Sequence, residues 1–487
     1  MADNTYTKQE DEQYIALIDE VFVSQKKAFS RQPYPEVDAR IADLTNLKTS
    51  IIAHKEELLV ALSNDFRCRA HGDTKMGDIM PTLGSISYTI KHLKKWMKPS
   101  KRHVGIMFQP AKAFVTYQPL GVIGIITPWN YPVFLSLGPL ITAIAAGNRA
   151  MIKMSEFTPK TNDVIEKIIA RVFSKEQVLV VHGGPDVATH FSNQAFDHLL
   201  FTGSTRVGKL VMAAASKNLT PVTLELGGKS PTIIDDEIEL KDAVSRIILG
   251  KSLNAGQTCV APDYILCPHN RIDALVDELN SWFNQLYPNI ANNDDYTAIV
   301  NDGQFNRLTS WLEDARTKGA LITPLIKGNA NDEQTLNSCA EQGKIPLTVL
   351  TNVSDEMIVM QDEIFGPLLP IVGYEQMSEA ITYVNERPRP LALYLLSHNE
   401  QLQQQVLKQT HSGGVCLNDS AMHVAQEDLP FGGVGPSGMG HYHGHEGFTT
   451  FSKAKGVYKK GRFNMATNAF PPYGKFIHKM IDKLFLS

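Results

Sequence analysis

Stretches in which apolar side chains recur every three or four positions alternate along this chain with short unbroken apolar runs, the pattern of helices packed on buried parallel strands. Residues 10–65 show the helical texture, with Ile15, Ile18, Val21 and Phe22 set among charges, and residues 75–98 continue it until Pro99-Ser100. Within Gly105–Gln118 the strand-like Phe114–Tyr117 predicts a hairpin arm used for packing or assembly. Leu120–Ile126 is continuously apolar, as a fully buried strand requires. Further strands are expected at Ala150–Glu156, Val178–Val181, Leu199–Gly203, Val222–Leu226, Pro346–Leu350, Ile371–Tyr374 and Gly414–Asn418, with Val260-Ala261 beginning another. Helices are expected at Thr161–Phe173, Lys209–Ser216, Ile272–Leu286, Gly303–Ala320 and Ser378–Glu386. Strand alternating with helix at this spacing predicts an α/β fold with a parallel, doubly wound sheet.

At 487 residues the chain is too long for one core, so two or three domains are expected. A net charge of −4 gives no polyanion-binding signal, and nucleic acid is excluded as a partner. The five cysteines, Cys68, Cys259, Cys267, Cys339 and Cys416, are scattered without metal-ligand spacing, which points to a reducing, cytoplasmic setting. Met1–Gln13 is polar and acidic, unlike a targeting segment. The longest apolar run, Val133–Ala146, contains Gly138 and Pro139 and is too short to span a bilayer. Phe476–Leu486 is amphipathic and is expected to dock on its own protein or on a partner subunit.

Candidate chemistry lies at the ends of the predicted strands, where open α/β sheets bind ligands. Asn254–Cys259 reads Asn-Ala-Gly-Gln-Thr-Cys. Its small residues leave room for a carbonyl, and Gln257 and Thr258 are too polar for a core strand, so Cys259 is expected on a loop at a cleft as a thiol nucleophile. Thr127–Pro132 follows the first buried strand, and its Asn130 offers a neutral NH2 suited to an oxyanion, although an asparagine in a proline turn has a simpler structural reading. Lys153 and Glu156 end the second strand and suit two ribose hydroxyls, or plain surface charge. Gly203 and Ser204 open a helix whose N–H groups can seat a pyrophosphate. Glu225 lies in an otherwise apolar strand, where desolvation would raise its pKa as a general base needs, unless the strand is an edge facing water. Gly433–Gly438 matches G-x-G-x-x-G but contains Pro436 and follows no apolar strand, so it is rejected as a dinucleotide fingerprint. His441, His443 and His445 alternate through glycines that supply no rigid cage, and no metal is expected.

Five motifs, Thr127–Asn130, Phe201–Ser204, Glu225–Pro231, Gly256–Cys259 and Glu363–Pro367, occur in the order and spacing of the aldehyde dehydrogenase superfamily, and the chain resembles it over nearly its whole length. Cys259–Tyr264 and Pro430–Gly440 resemble its class-three branch, and Ile152–Pro159 is similar to the bacterial coniferyl aldehyde dehydrogenases. Met154 stands where the wider family has proline. The resemblance implies an aldehyde dehydrogenase-like fold, with residues 1–101 and 120–226 binding NAD(P), 227–425 forming an α/β catalytic domain, and 102–119 with 426–487 forming an oligomerisation arm and closing segment. It implies Cys259 as nucleophile, Asn130 as oxyanion donor and Glu225 as the base that activates water. Glu363 is implied at the nicotinamide ribose with Phe365 and Trp129 nearby, Lys153 and Glu156 at the adenosine ribose, and Gly203 with Ser204 near the pyrophosphate. NAD is the implied cofactor, with NADP also accepted; coniferyl aldehyde is the implied substrate, with aliphatic aldehydes the alternative, and the assembly a homodimer. A CoA-acylating relative would have no use for Glu225, and a non-catalytic protein on this fold would have no use for Cys259, Asn130 and Glu225 together.

Overall fold

In the computed structural model, which describes residues 6–328, 332–462, 467 and 469–486, the helix Pro132–Ala146 is the central packing element. All fifteen of its residues are buried, so it is apolar around its whole circumference rather than along one stripe. It ends at Gly147, whose left-handed φ of 90° lies close against the Arg40 guanidinium and Pro119. This helix packs on the strand Val122–Ile126 and on the helices Val37–Ala53 and Met80–Trp96, forming the larger of the cores on this side of the molecule. The expected start Met1–Gln13 extends into residues 1–5, outside the described residues, while Lys8–Arg31 is a helix whose Thr7 and Glu10 form a capping box.

Two parallel-dominated sheets carry the rest. The first runs in the order 438–439, 222–226, 198–203, 122–126, 149–153 and 178–181, all parallel except the two-residue strand at its edge. Val122–Ile126 pairs with Arg149–Lys153 on one side and with His198–Gly203 on the other. Strand order reverses there, and the crevice beyond those strand ends is where this architecture binds ligands. The second sheet, in the order 321–324, 348–351, 368–374, 264–268, 231–234, 392–396 and 414–417, is parallel except for its first pair and encloses a separate core. A three-stranded antiparallel sheet joins 100–102, 112–119 and 452–459. The expected arm is therefore the middle strand of a sheet completed from the far end of the chain.

One expectation needs correction, and two candidate residues gain a definite setting. Val260-Ala261 lies in a turn, and the strand begins at Tyr264, because the chain must first leave the cysteine loop. Glu225 is no edge residue: its strand is paired on both sides, with Thr202 and Gly438 opposite it. Ser204 caps the helix Thr205–Ser216 with its own side chain, accepting from the Val207 N–H at 3.4 Å.

Candidate active site

The cysteine loop is built from an unusual backbone. Asn254, Ala255 and Gly256 all have left-handed φ, at 53°, 52° and 71°. A Cβ on Gly256 would also run into the Gly366 carbonyl. Non-glycine residues hold such a conformation only when their surroundings over-determine it. Here the Asn254 N–H donates to Asp73 at 2.9 Å and its side chain donates to the carbonyls of Asn130 and Gln257. Gln257, too polar for a core strand, is nonetheless fully buried in the loop: its amide donates to the Asn254 and Ala298 carbonyls and accepts from the Val300 N–H. It is a staple inside the protein, satisfied entirely by backbone. Thr258 pairs with the Tyr131 hydroxyl at 2.8 Å.

Held in this way, Cys259 lines two cavities at once. One, of about 290 Å³, is apolar and includes Met76, Tyr131, Phe134, Met422, Phe431 and Tyr442 in its wall. The other, of about 530 Å³, lies between the two sheets. Glu225, Thr202, Leu226 and Leu135 also line both, so the cavities meet at the cysteine. Burial and the nearby carboxyls of Glu363 and Glu225 push the Cys259 thiol up to about 12, partly offset by the N–H groups of Cys259 and Val260 directed at the sulfur. Glu225 is 4% exposed, neither carboxyl oxygen has a hydrogen-bond partner among the described residues, and desolvation raises its pKa well above the usual carboxylate range. Desolvation thus favours the protonated forms of both the thiol and the carboxyl.

Asn130 sits beside them with one amide N–H donated to the Gln257 carbonyl at 3.1 Å. Its second N–H is available to a ligand. The Asn130 backbone carbonyl accepts from Arg69 at 2.5 Å, and Arg69 pairs with Asp78 at 2.8 Å with both side chains wholly buried. The guanidinium lies 4.9 Å from the ring centroids of both Phe66 and Tyr131. The other Asp78 oxygen accepts from the N–H groups of Val133 and Phe134, at the first turn of the central buried helix. Sequence reasoning missed this support, since an Arg and an Asp nine positions apart look like any other pair of charges.

The larger cavity brings together Trp129, Asn130, Gly203, Ser204, Glu225, Cys259, Glu363 and Phe365. Trp129 and Phe365 meet edge to face at 5.3 Å. Glu363 packs against Gly227, where any Cβ would collide with its carboxylate, and its Oε1 is buried without a partner among the described residues. Burial and the charge of Asp263 raise its pKa to about 8. An orphaned acceptor, an aromatic pair and the first turn of the Thr205–Ser216 helix fit a dinucleotide with its ribose hydroxyls and phosphates. Lys153 and Glu156 lie outside this cavity. Lys153 is buried, donates to the carbonyls of Met154 and Gly183, and has its pKa lowered to about 8 by desolvation. Gln304, Arg307 and Trp311, from the helix Asp302–Thr317, also line the cavity, unforeseen because their spacing reads as an ordinary amphipathic helix. Among the described residues no cluster of three or more His, Cys, Asp or Glu could hold a metal, and no helix is long and apolar enough to cross a membrane.

Comparison with known proteins accords with this geometry. The aldehyde dehydrogenase family model matches residues 7–457. A Pseudomonas aeruginosa protein named "Probable coniferyl aldehyde dehydrogenase" is 54% identical over 486 residues, 100% of each chain. A "Coniferyl aldehyde dehydrogenase" of Pseudomonas sp. strain HR199 is 44% identical over 94% of each. Among solved structures, a substrate-bound Staphylococcus aureus AldH has a TM-score of 0.89 at 38% identity, covering 96% of this chain and 99% of its own. A Mycobacterium tuberculosis aldehyde dehydrogenase complexed with NAD+ has a TM-score of 0.82 at 25% identity, covering 93% and 92%. The chain belongs to the aldehyde dehydrogenase family and is an oxidoreductase acting on aldehydes.

Proposed function

We propose that the protein oxidises coniferyl aldehyde to ferulate with NAD, through a covalent intermediate on Cys259. The observation that carries this reading is the meeting of an apolar cavity and a dinucleotide-sized cavity at Cys259 and Glu225. Cys259 Sγ attacks the aldehyde carbon, forming a thiohemiacetal whose oxyanion takes the free Asn130 N–H and the Cys259 backbone N–H. When bound, NAD supplies the hydride acceptor. Glu363 would hold the nicotinamide ribose, with Trp129 and Phe365 packing nearby, while Gly203 and Ser204 would serve the pyrophosphate and Lys153 with Glu156 the adenosine ribose. The acyl group is left on Cys259 as a thioester, and Glu225 takes a proton from the water that hydrolyses it.

The substrate assignment rests on the aromatic wall of the smaller cavity, formed by Tyr131, Phe134, Phe431 and Tyr442, and on the names of the relatives that match over the full chain. Met76, Met80 and Met422 line the same cavity, and their flexible side chains favour a second reading, a medium- or long-chain aliphatic aldehyde. NADP is accepted less well than NAD in this reading, because Glu156 would repel a 2′-phosphate. All five cysteines are free, in keeping with a reducing cytoplasm. The working unit is a homodimer, supported by the exposed Tyr458 on the three-stranded sheet, the exposed Phe108 of the adjoining turn Ile106–Phe108, and the exposed Phe476, Met480 and Leu484 of the helix Phe476–Phe485. The test is NADH production from coniferaldehyde, benzaldehyde, hexanal and decanal by wild type and Cys259→Ala. The reading requires coniferaldehyde to have the highest kcat/KM and the variant to be inactive; a variant that still turns over removes the covalent route.

A further inference from the structure

Tyr442 carries a role the mechanism above does not use. It is 1% exposed, it lines the apolar cavity with Cys259 and Glu225, and its hydroxyl has no hydrogen-bond partner among the described residues. Tyrosine hydroxyls usually find a partner when buried, because a bare one costs about 1–3 kcal/mol. The phenol cannot swing away to water. Thr142 Oγ1 donates to the Tyr442 carbonyl at 2.6 Å, a Cβ on Gly138 would touch the ring at 3.4 Å, and the following residues enter the helix Gly444–Thr450. The other tyrosine hydroxyl in this wall, Tyr131, is committed to Thr258. Of the charges acting on the Tyr442 phenol, Glu225 comes first and Cys259 second, and burial keeps the phenol protonated and therefore a donor.

We infer that Tyr442 is a catalytic residue of the hydrolytic step, its hydroxyl donating to the water that Glu225 deprotonates. This rests on the reading of Glu225 as the base. A water held by only one carboxyl would be poorly fixed, since ordered buried water makes about three hydrogen bonds. With Tyr442 donating to one lone pair and Glu225 accepting one proton, the other lone pair faces the thioester carbon. The C–O bond forms, the C–S bond breaks, the acid leaves, and the proton taken by Glu225 passes to the departing sulfur, restoring the thiol, or to solvent, leaving the thiolate. No redox change accompanies this step.

The test compares wild type, Tyr442→Phe, Glu225→Gln and Cys259→Ala by stopped-flow NADH formation with coniferaldehyde and NAD. In Tyr442→Phe the fast phase, which reports acylation, should keep its rate, while steady-state kcat falls about tenfold with KM unchanged or lower. Its thermal midpoint should be equal to or above wild type, since the substitution removes a bare buried hydroxyl. An unchanged steady-state rate overturns the proposal, and so does a raised KM at constant kcat, which would make Tyr442 a substrate-binding group, or a slowed fast phase, which would place it at acylation. Failure of the underlying reading is visible separately: Glu225→Gln would then turn over normally, or Cys259→Ala would remain active.

Discussion

Replacing Arg69 by methionine should damage stability and chemistry together, although Arg69 lines neither cavity. Its guanidinium is wholly buried against Asp78 and lies between two aromatic rings while donating to the Asn130 carbonyl. Removing it leaves Asp78 as a buried carboxyl without its counter-ion, a loss of about 3–5 kcal/mol. Asp78 would still accept from Val133 and Phe134, and the Asn130 carbonyl would keep only the Asn254 amide at 3.2 Å. The oxyanion donor would therefore shift, and small misplacements of a positioning group cost up to about a hundredfold in rate. We expect a kcat/KM loss of at least about tenfold, about 1.4 kcal/mol, with the KM for NAD little changed. Denaturant unfolding of Arg69→Met, Asp78→Asn and the double variant gives the coupling, and the double variant should lose clearly less than the sum of the singles. Additive losses, or a destabilised Arg69→Met with full kcat/KM, would refute the link between the buried pair and Asn130.

The remaining predictions each follow from one feature. Because burial holds the Cys259 thiol near 12, its alkylation by iodoacetamide without cofactor should rise about tenfold per pH unit from pH 7 to 10 with no plateau, and a plateau below pH 9 would contradict the desolvated site. Gly256→Ala should give little soluble protein on expression, since the position combines a left-handed φ with contact against the Gly366 carbonyl; a well-folded, active variant would show that the loop can relax. Glu225→Gln should preserve a single NADH burst with coniferaldehyde while lowering steady turnover at least about a hundredfold, in the range for loss of a general base.

Those outcomes also bear on what the sequence could reveal. Val178–Val181 and Val222–Leu226 form strands with the expected bounds because unbroken apolar runs admit few alternatives to a buried strand. Cys259, Asn130 and Glu225 are found together because each follows or ends such a strand or sits in a recognisable loop. What could not be read depends on contacts distant in sequence. Nothing local says that Asn254 and Ala255 are left-handed, since neither is glycine and their conformation is imposed by Asp73, Asn130 and Gln257. Gln257 looks too polar for the interior until its backbone partners at Asn254, Ala298 and Val300 are known. Tyr442 is hidden between histidines whose alternation draws attention toward a metal, while the tertiary fold turns the tyrosine into the cavity.

The same burial that hides these groups fixes how stability of the cofactor-free protein must vary with pH. His198, His423 and His443 have folded pKa values lowered to about 4 by desolvation, against an ordinary value of about 6.5. Between those values the unfolded chain binds protons that the folded chain does not, so stability rises with pH. Glu225 and Glu363 act with the opposite sign: their folded pKa values are raised, Glu363 to about 8, so the folded chain retains protons that the unfolded chain has released and stability falls as pH rises through that window. Lys153 and Lys251, lowered to about 8, restore stability only above it. Between about pH 6.5 and 8 the histidine contribution is dying away and that of the lysines is still growing in, which leaves the carboxyls dominant near the middle of that interval. The thermal midpoint should therefore fall across that interval, with Glu363, raised to about 8, adding a slope of at most about 1.4 kcal/mol per pH unit and the raised Glu225 acting in the same direction. Glu225→Gln should flatten the fall and steepen the rise below pH 6.5, because the contribution of this carboxyl begins at its unfolded pKa of about 4.3. A midpoint that climbs from pH 6.5 to 8 in wild type, or a slope identical in Glu225→Gln, would mean that Glu225 is already ionised at rest and that the water-activating base needs no bound ligand to prepare it.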